Sequence, residues 1–251
     1  ASRKEATAYK LTGKAELDGF VHLTTFMLDA AQVKEKAHEY SVTVTEFLTA
    51  AMMQSILNLQ AEQVPHRARR KPVKVLVPVN LRSLFPSRTL RNFALFITPE
   101  IDSKLGDYTF EEICSAVHHK MGMENTAKQM STKIAANVSS EKAPVLKVMP
   151  LFIKNAAMKA VFDTVGERKS SLCMSNLGLV KLPEIMQQYI KRMDFIIGVP
   201  SASAYNCALL SYGGTTYINI IRNIVEPELE MHFYEVLRSL GVHVKVESNQ
   251  R

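Results

Sequence analysis

Apolar and polar residues alternate along several short stretches of the chain, and this period of two predicts β-strands. Residues 21–26 read Val-His-Leu-Thr-Thr-Phe, one example of the pattern, and residues 3–28 as a whole look extended. The pair Gly213-Gly214 separates two apolar runs and predicts a tight hairpin. Further strands are predicted at residues 73–79, 92–98, 171–176, 195–199, 206–212, 215–222 and 242–246.

Capping signals mark the starts of the helices. Thr43 with Glu46, and Thr109 with Glu112, are Thr-x-x-Glu capping boxes, in which the two side chains satisfy free backbone N–H groups of the first turn. Apolar residues at helical spacing follow each box. Further helices are predicted from Asp29 to residue 40, over residues 144–161, from Pro183 to residue 191, and from Pro227 to Gly241.

The order of these elements predicts the fold class. Helices separate the early strands, and a run of strands follows in the second half of the chain. This order is typical of an α/β (α+β) protein that has a mixed sheet with helices packed mainly on one face. Residues 1–28 are interpreted as a connecting arm and residues 29–251 as one domain.

The composition is that of an ordinary globular protein, with 47% apolar and 22% charged residues among 251. The sequence has no apolar run of the roughly 20 residues that cross a bilayer, so no membrane span is expected. Cys114, Cys173 and Cys207 show no metal-ligand spacing, and an odd number of cysteines cannot all pair. We therefore expect no metal site and a reducing, cytoplasmic compartment.

The net charge is +7, and one stretch is dense in basic residues, with Arg67, Arg69, Arg70 and Lys71. Such a cluster can bind phosphate groups, either of coenzyme A or of nucleic acid. A site for single-stranded nucleic acid also needs aromatic residues between the charges, and this stretch has none. We therefore favour a solvated loop, expect no nucleic-acid partner, and leave coenzyme A phosphate binding as the open alternative.

Two short motifs are candidates for chemistry. His118-His119 lies in the middle of a predicted amphipathic helix, where a surface or half-buried histidine is the ordinary interpretation. Ser175 and Asn176 end a predicted strand just before Gly178. Small hydrogen-bonding side chains at such a strand end can line a cleft and donate to an oxyanion, or they can satisfy the turn itself.

Five segments, in their order along the chain, resemble a known family. They are VTVTEFLTAAM, VPVNLR, RTLRNF, SNLG and FYEVLRSLGVHVKVES. They resemble the C-terminal half of the condensation-domain and chloramphenicol-acetyltransferase-like superfamily, and especially its bacterial alcohol-acetyltransferase-like proteins. The resemblance extends from residue 8 to residue 247, so residues 29–251 are interpreted as a C-terminal acyltransferase-like subdomain.

The resemblance implies one half of a two-half fold. A tunnel between the halves admits an acyl thioester, on coenzyme A or a carrier protein, and an acceptor hydroxyl or amine. Ser175 would donate to the tetrahedral oxyanion, with its neighbour Asn176 as a second candidate. Arg82 and Asn92 would fix the junction between the halves, and loop 83–91 would be exposed at its rim. Acyl-CoA is then a co-substrate, and no tightly bound cofactor is expected.

The family's general base is a histidine in an HHxxxDG motif of the N-terminal half, and this sequence lacks that motif. After His118-His119, position 123 is Met where the motif has Asp. We therefore expect the chain alone to be inactive, and to bind a missing N-terminal half or to self-associate. The alternative is a non-catalytic interaction or dimerisation module of the same fold.

Overall fold

The computed structural model describes residues 6–141, 150–161, 169–199 and 203–250. The strands in these ranges are β1 (His22–Asp29), β2 (Val73–Asn80), β3 (Ala94–Ile97), β4 (Glu100–Ile101), β5 (Leu172–Leu179), β6 (Tyr205–Tyr212), β7 (Thr215–Arg222) and β8 (Val244–Ser248). The α-helices are α1 (Ala30–Glu39), α2 (Val44–Gln63), α3 (Phe110–Glu124), α4 (Ala127–Glu141), α5 (Leu151–Val161), α6 (Glu184–Gln187) and α7 (Glu228–Ser239).

Three helices begin where the capping signals predict. Thr43 and Glu46 form a complete capping box at α2, and Thr109 and Glu112 form another at α3. Asp29 caps α1 by accepting a hydrogen bond from the backbone N–H of residue 32 (2.8 Å). These predictions are confirmed because a cap depends only on residues three positions apart.

The extents of the other helices differ from the predictions. Of the helix predicted over residues 144–161, residues 144–149 lie outside the described part of the chain, and α5 begins at residue 151. The helix predicted from Pro183 to residue 191 is the short α6 alone. Helix α4 is absent from the predictions, although Thr126 accepts a hydrogen bond from the backbone N–H of Gln129 (3.3 Å) at its start.

The strands form one mixed sheet in the order β3-β2-β5-β6-β7-β1-β8, with β4 also paired to β2. β5 is parallel to both β2 and β6, whereas β6–β7, β7–β1 and β1–β8 are antiparallel. The predicted mixed sheet is therefore confirmed. Because β2 and β5 are parallel, their carboxyl ends lie at the same end of the sheet.

Strand β1 lies inside the sheet, between β7 and β8. The division predicted at residue 28 stays a prediction as a domain boundary, but residue 28 itself lies within β1. The extended chain before β1 is attached to the same body. Tyr9 N–H donates to the carbonyl of Pro72, and Val225 N–H donates to the carbonyl of Lys14, both at 2.9 Å.

The strand predicted at residues 195–199 does not form, which corrects that prediction. Both sides of β6 are occupied by β5 and β7, so no position in the ladder is open there. Side chains hold the segment instead. Asn206 Nδ2 donates to the carbonyl of Gly198 (2.6 Å), and Asn219 Nδ2 donates to the carbonyl of Phe195 (3.2 Å). Residues 189–199 are called the strap below.

The main core lies between one face of the sheet and helices α1, α2, α3 and α7. Helix α2 is central, because it contacts the other three helices and β2. Its buried residues, among them Phe47, Met52 and Leu59, occur on all sides of the helix, which is typical of a helix enclosed by protein. The prediction that helices pack mainly on one face is confirmed.

The strap covers part of the opposite face of the sheet. Leu210, Tyr212 and Tyr217 form a second apolar cluster against it. Arg192 of the strap lies over the ring of Tyr217, 5.3 Å from its centroid, and binds Glu247 of β8 at 2.7 Å. These contacts fall on β6, β7 and β8, and they fix the strap across that side of the sheet.

A buried ion pair fixes α7 to the sheet. Arg222 of β7 is fully buried and donates to Glu230 of α7, whose side chain is 5% exposed. Next to this pair, the hydroxyl of Tyr205 donates to the carbonyl of Glu226 (2.7 Å). Burial raises the pKa of Glu230, and the charge of Arg222 opposes that rise. Loss of one partner alone would therefore leave the other charge buried and unpaired.

Replacing Arg222 with methionine leaves the carboxylate of Glu230 buried without its partner. We expect Arg222→Met to lower the free energy of unfolding by about 3–5 kcal/mol, as when one member of a buried pair is removed. The double variant Arg222→Met/Glu230→Leu contains neither charge and should recover a large part of the loss. Urea unfolding at neutral pH measures both, and equal losses in the two variants would contradict this account.

The stability of the single variant Arg222→Met should also depend on pH, in a definite direction. The folded-state pKa of Glu230 is raised, so between the unfolded and folded pKa values the folded state binds more protons than the unfolded state. Stability of Arg222→Met, relative to the double variant, should therefore rise as the pH falls through that window. The same unfolding series at several pH values checks this, and a constant difference would oppose it.

Candidate active site

Ser175 lies in the middle of β5, just before a bulge, and not at the strand end that the sequence predicted. It is on the face of the sheet opposite the main core. Leu172 and Met174 of the same strand are buried in the core beneath the helices. By the alternation of a strand, Cys173 and Ser175 point to the other face, and both are partly exposed. Ala208 of β6 is the parallel neighbour of Ser175.

The side chain of Ser175 is partly exposed on this face. Within the described ranges, the structure shows no hydrogen-bond partner for Ser175 Oγ, and the residue is half-buried. A serine that only satisfies a turn would bond a nearby backbone group. The described ranges show no such bond for Ser175, so its role as an oxyanion donor stays a prediction.

A β-bulge follows Ser175 directly. Asn176 is the partner of Leu209, whereas Leu179 is the partner of Ser211, so β5 contains one more residue than β6 over this stretch. Gly178 in the bulge has φ +82°, a conformation that side chains with a Cβ rarely adopt. Gly178 therefore bends β5 and does not end it, which corrects the expectation that the strand stops before it. Bulges often adjust the direction of side chains at functional sites.

Asn176 is fully engaged by the protein. Its Nδ2 donates to Thr45 Oγ1 in the first turn of α2 (2.8 Å), and its Oδ1 accepts from the backbone N–H of Gly178 (2.7 Å). The side chain thus lies on the helix side of the sheet, away from the face of Ser175. Its geometry is that of an anchor, which fixes the bulge to α2 and so positions Ser175.

Cys173, on the same face as Ser175, is not an activated nucleophile. Burial raises the pKa of its thiol to about 11, so the thiol stays protonated at neutral pH. Its backbone N–H donates to Asn206 Oδ1 (3.2 Å), the same side chain that holds the strap. The face of β5 that carries Ser175 therefore presents a serine hydroxyl and a neutral cysteine thiol.

The histidine pair lies elsewhere. His118 Nδ1 is 3.2 Å from Glu46 Oε2, at the start of α2, and His119 Nδ1 donates to the carbonyl of Ser115 (2.6 Å). Both histidines belong to α3, in the helix layer, whereas Ser175 faces the other side of the sheet. The structure does not bring these groups together, and it gives the pair a local role on the helix surface.

Arg82 closes the loop that follows β2. Its Nη2 donates to the carbonyls of Thr89 (2.9 Å) and Arg91 (2.7 Å), and its backbone N–H donates to Asn80 Oδ1 (3.1 Å). Asn92 at the far end of the loop is exposed. Because β2 and β5 are parallel, this loop lies at the same end of the sheet as the bulge that follows Ser175. The role of Arg82 and Asn92 at a junction between halves stays a prediction.

The basic stretch lies at the opposite end of the sheet, before the start of β2. Arg67 pairs with Asp107 (2.5 Å), and Arg70 Nε donates to the carbonyl of Val64 (3.0 Å). Arg69 and Lys71 are not placed near Ser175 by the same topology. The stretch and the serine therefore form separate surfaces, and coenzyme A phosphate binding there stays a prediction.

Two other features bear on the class of site. The described ranges contain no group of three or more histidine, cysteine or acidic side chains that could hold a metal ion. The helices of those same ranges lack the combined length and apolar content that crossing a membrane requires.

Comparison with known proteins gives the fold. No family model matches the sequence, and no curated protein matches it significantly. Solved structures do match. The condensation domain for chain release from the enacyloxin polyketide synthase has a TM-score of 0.52 and 16% identity, over 94% of this chain and 44% of that one.

Two acyltransferases match in the same way. The trichothecene 15-O-acetyltransferase from Fusarium sporotrichioides has a TM-score of 0.57 and 10% identity, over 94% of this chain and 48% of that one. The wax ester synthase/diacylglycerol acyltransferase from Marinobacter aquaeolei VT8 has a TM-score of 0.53 and 14% identity, over 94% of this chain and 53% of that one. At such identities the likeness shows the fold alone, which is the condensation-domain and acyltransferase fold expected from the sequence. The chain spans about half the length of these structures.

The anchoring role of Asn176 can be tested by stability. We expect Asn176→Ala to lower the free energy of unfolding by about 1–3 kcal/mol, because Thr45 and the backbone of Gly178 both lose a partner. Ser175→Ala is the matched control on the same strand, and we expect it to change stability by no more than about 0.5 kcal/mol. Chemical unfolding compares them, and a larger loss for Ser175→Ala would reverse the assignment.

Proposed function

We propose that this chain is the C-terminal half of an acyltransferase, which moves an acyl group from a thioester to a hydroxyl or amine acceptor. The observation that carries the proposal is the partly exposed hydroxyl of Ser175, for which the described residues show no hydrogen bond, just before the bulge of β5. The fold that the chain shares with condensation domains and acyltransferases supports it.

In the proposed reaction, the acceptor's oxygen or nitrogen attacks the carbonyl carbon of the thioester, and its proton goes to a base on the other half. The carbonyl oxygen becomes an oxyanion, to which Ser175 Oγ–H donates. The C–S bond then breaks, and the thiolate takes the proton back from the base. No covalent enzyme intermediate is needed, which agrees with the protonated thiol of Cys173.

The base is assigned to a segment outside this chain. The sequence has no HHxxxDG motif, and the pair His118-His119 lies on the other side of the sheet from Ser175. General acid–base help typically contributes about 10²–10⁴-fold to a rate, so Ser175 alone would support little transfer. The proposal therefore needs a second half that faces the serine.

Exposed apolar side chains border the bulge and give such a half a surface to cover. Leu177 and Leu179 of β5 are 58% and 64% exposed, and Ile185 of α6 is 72% exposed. Soluble proteins rarely leave such side chains clustered without a partner. This surface supports the partner in the proposal, and it equally supports the alternative of a non-catalytic interaction module of the same fold.

The finer features of the proposal come from the sequence resemblance. They are an acyl donor on coenzyme A or a carrier protein, a bacterial alcohol-acetyltransferase-like parent, and a cytoplasmic location. Arg82 and Asn92 are proposed to hold the junction between the halves, since their loop lies at the same end of the sheet as the bulge that follows Ser175. The basic stretch, at the other end of the sheet, is given no part in catalysis.

The serine can be tested in the full-length protein. We expect Ser175→Ala to lower kcat by roughly 10²-fold, the cost of losing one oxyanion donor. KM should change little, because this hydrogen bond strengthens in the transition state. Ser211→Ala, which removes a hydroxyl from the adjacent strand β6, is the matched control and should retain the wild-type kcat.

Steady-state kinetics of acyl transfer, with melting curves on the same preparations, separates the alternatives. A normal kcat for a folded Ser175→Ala protein would refute the oxyanion role and favour the non-catalytic module.

A further inference from the structure

Strand β8 lies at the edge of the sheet, and within the ranges that the structure describes its only partner strand is β1. The backbone N–H of Asn249 donates to the carbonyl of Leu23 (3.1 Å), so the odd-numbered residues of β8 face β1. By alternation, the N–H and C=O groups of Val244, Val246 and Ser248 point outward. In the described part of the chain, no backbone group bonds to them.

An apolar groove lies beside this edge, between β8 and α7. Its volume is about 310 Å³, and Phe26 forms part of its wall. Val246, Met231 and Tyr234 line it while 40%, 59% and 40% exposed, respectively. An exposed strand edge next to exposed apolar side chains is a surface to which another strand can add.

The charges on β8 indicate which strand fits. Lys245 and Glu247 lie opposite Met27 and Thr25 of β1, on the face away from the helices. An antiparallel copy of β8 centred on residue 245 or 247 would set like charges directly opposite each other, which destabilises a sheet. Centred on Val246, it sets Lys245 of each copy opposite Glu247 of the other.

We propose that β8 pairs with β8 of a second copy of this chain, antiparallel and centred on Val246. In this register the outward groups of Val246 meet those of its counterpart, and Val244 meets Ser248. Both α7 helices then lie on the same side of the joined sheet, and Met231 and Tyr234 of the two copies close the groove. Arg192 already holds Glu247 in place (2.7 Å).

This interface is independent of the proposed function. Strands β6, β7 and β1 separate β8 from Ser175 on β5. A second half that covers Ser175 would leave the β8 edge open, so the two partners do not compete for one surface. A failure of dimerisation would therefore leave the catalytic proposal untouched, and the converse also holds.

The backbone contact is tested first. We expect sedimentation equilibrium of residues 1–251 to show a monomer–dimer equilibrium with increasing concentration. Val246→Pro removes the outward N–H but no bond to β1, and proline is tolerated on an edge strand in this position. It should abolish the dimer while the melting curve stays close to that of the wild type.

The register is tested by charge. Lys245→Glu sets two acidic residues opposite each other and should weaken the dimer by about tenfold or more, and Glu247→Lys should do the same with basic residues. An equal mixture of the two variants should form a heterodimer, because every pair across the interface is then of opposite charge. Lys34→Glu, on the exposed side of α1, is the matched control and should dimerise normally.

Three results would overturn the proposal. They are a wild-type chain that stays monomeric at all concentrations, a dimer that Val246→Pro leaves intact, and single charge variants that dimerise as well as Lys34→Glu. Failure of the two charge variants to form a heterodimer, with both folded by their melting curves, would overturn the register.

Discussion

The packing of α2 against the sheet is the constraint on which the rest of the structure depends. The helix has buried residues on all sides, so α1, α3 and α7 pack around it and the sheet covers the remaining side. Its first turn also binds Asn176 through Thr45, which connects the core directly to the bulge of β5. The strand segment next to Ser175 is therefore fixed by a central helix of the core, and not by a surface loop.

The bond between Asn176 and Thr45 fixes the residue next to Ser175 to the helix layer, and other contacts fix the opposite face of the sheet. The strap fills the far side of the sheet over β6 and β7, and Asn206 ties it to β5. The loop closed by Arg82 lies at the same end of the sheet as the bulge. The strap and this loop are thus the described elements that flank the face of β5 on which Ser175 lies.

Features that depend on near neighbours in sequence could be predicted. The capping boxes at Thr43 and Thr109 involve residues three positions apart, and the Gly213-Gly214 hairpin joins adjacent strands. The alternation of β5 also gave the face of Ser175. The candidate serine itself needed the resemblance, because a strand end with Ser and Asn is equally typical of a turn.

Features that depend on distant partners could not be predicted. β1 lies inside the sheet because it pairs with β7 and β8, and both of those strands are near the other end of the sequence. Residues 195–199 have the pattern of a strand, but β5 and β7 already occupy both sides of β6. Gly178 is typical of a strand end, and only its pairing with β6 shows a bulge. The anchor of Asn176 on Thr45 spans 131 positions and has no local signal.

The central claim is that this chain supplies an oxyanion donor while another segment supplies the base. The most direct measurement is acyl transfer by purified residues 1–251, alone and mixed with a separately produced segment of the full-length protein that carries an HHxxxDG histidine. The account predicts no transfer by the chain alone and restored transfer in the mixture. Transfer by the chain alone that is lost in His118→Ala would contradict it.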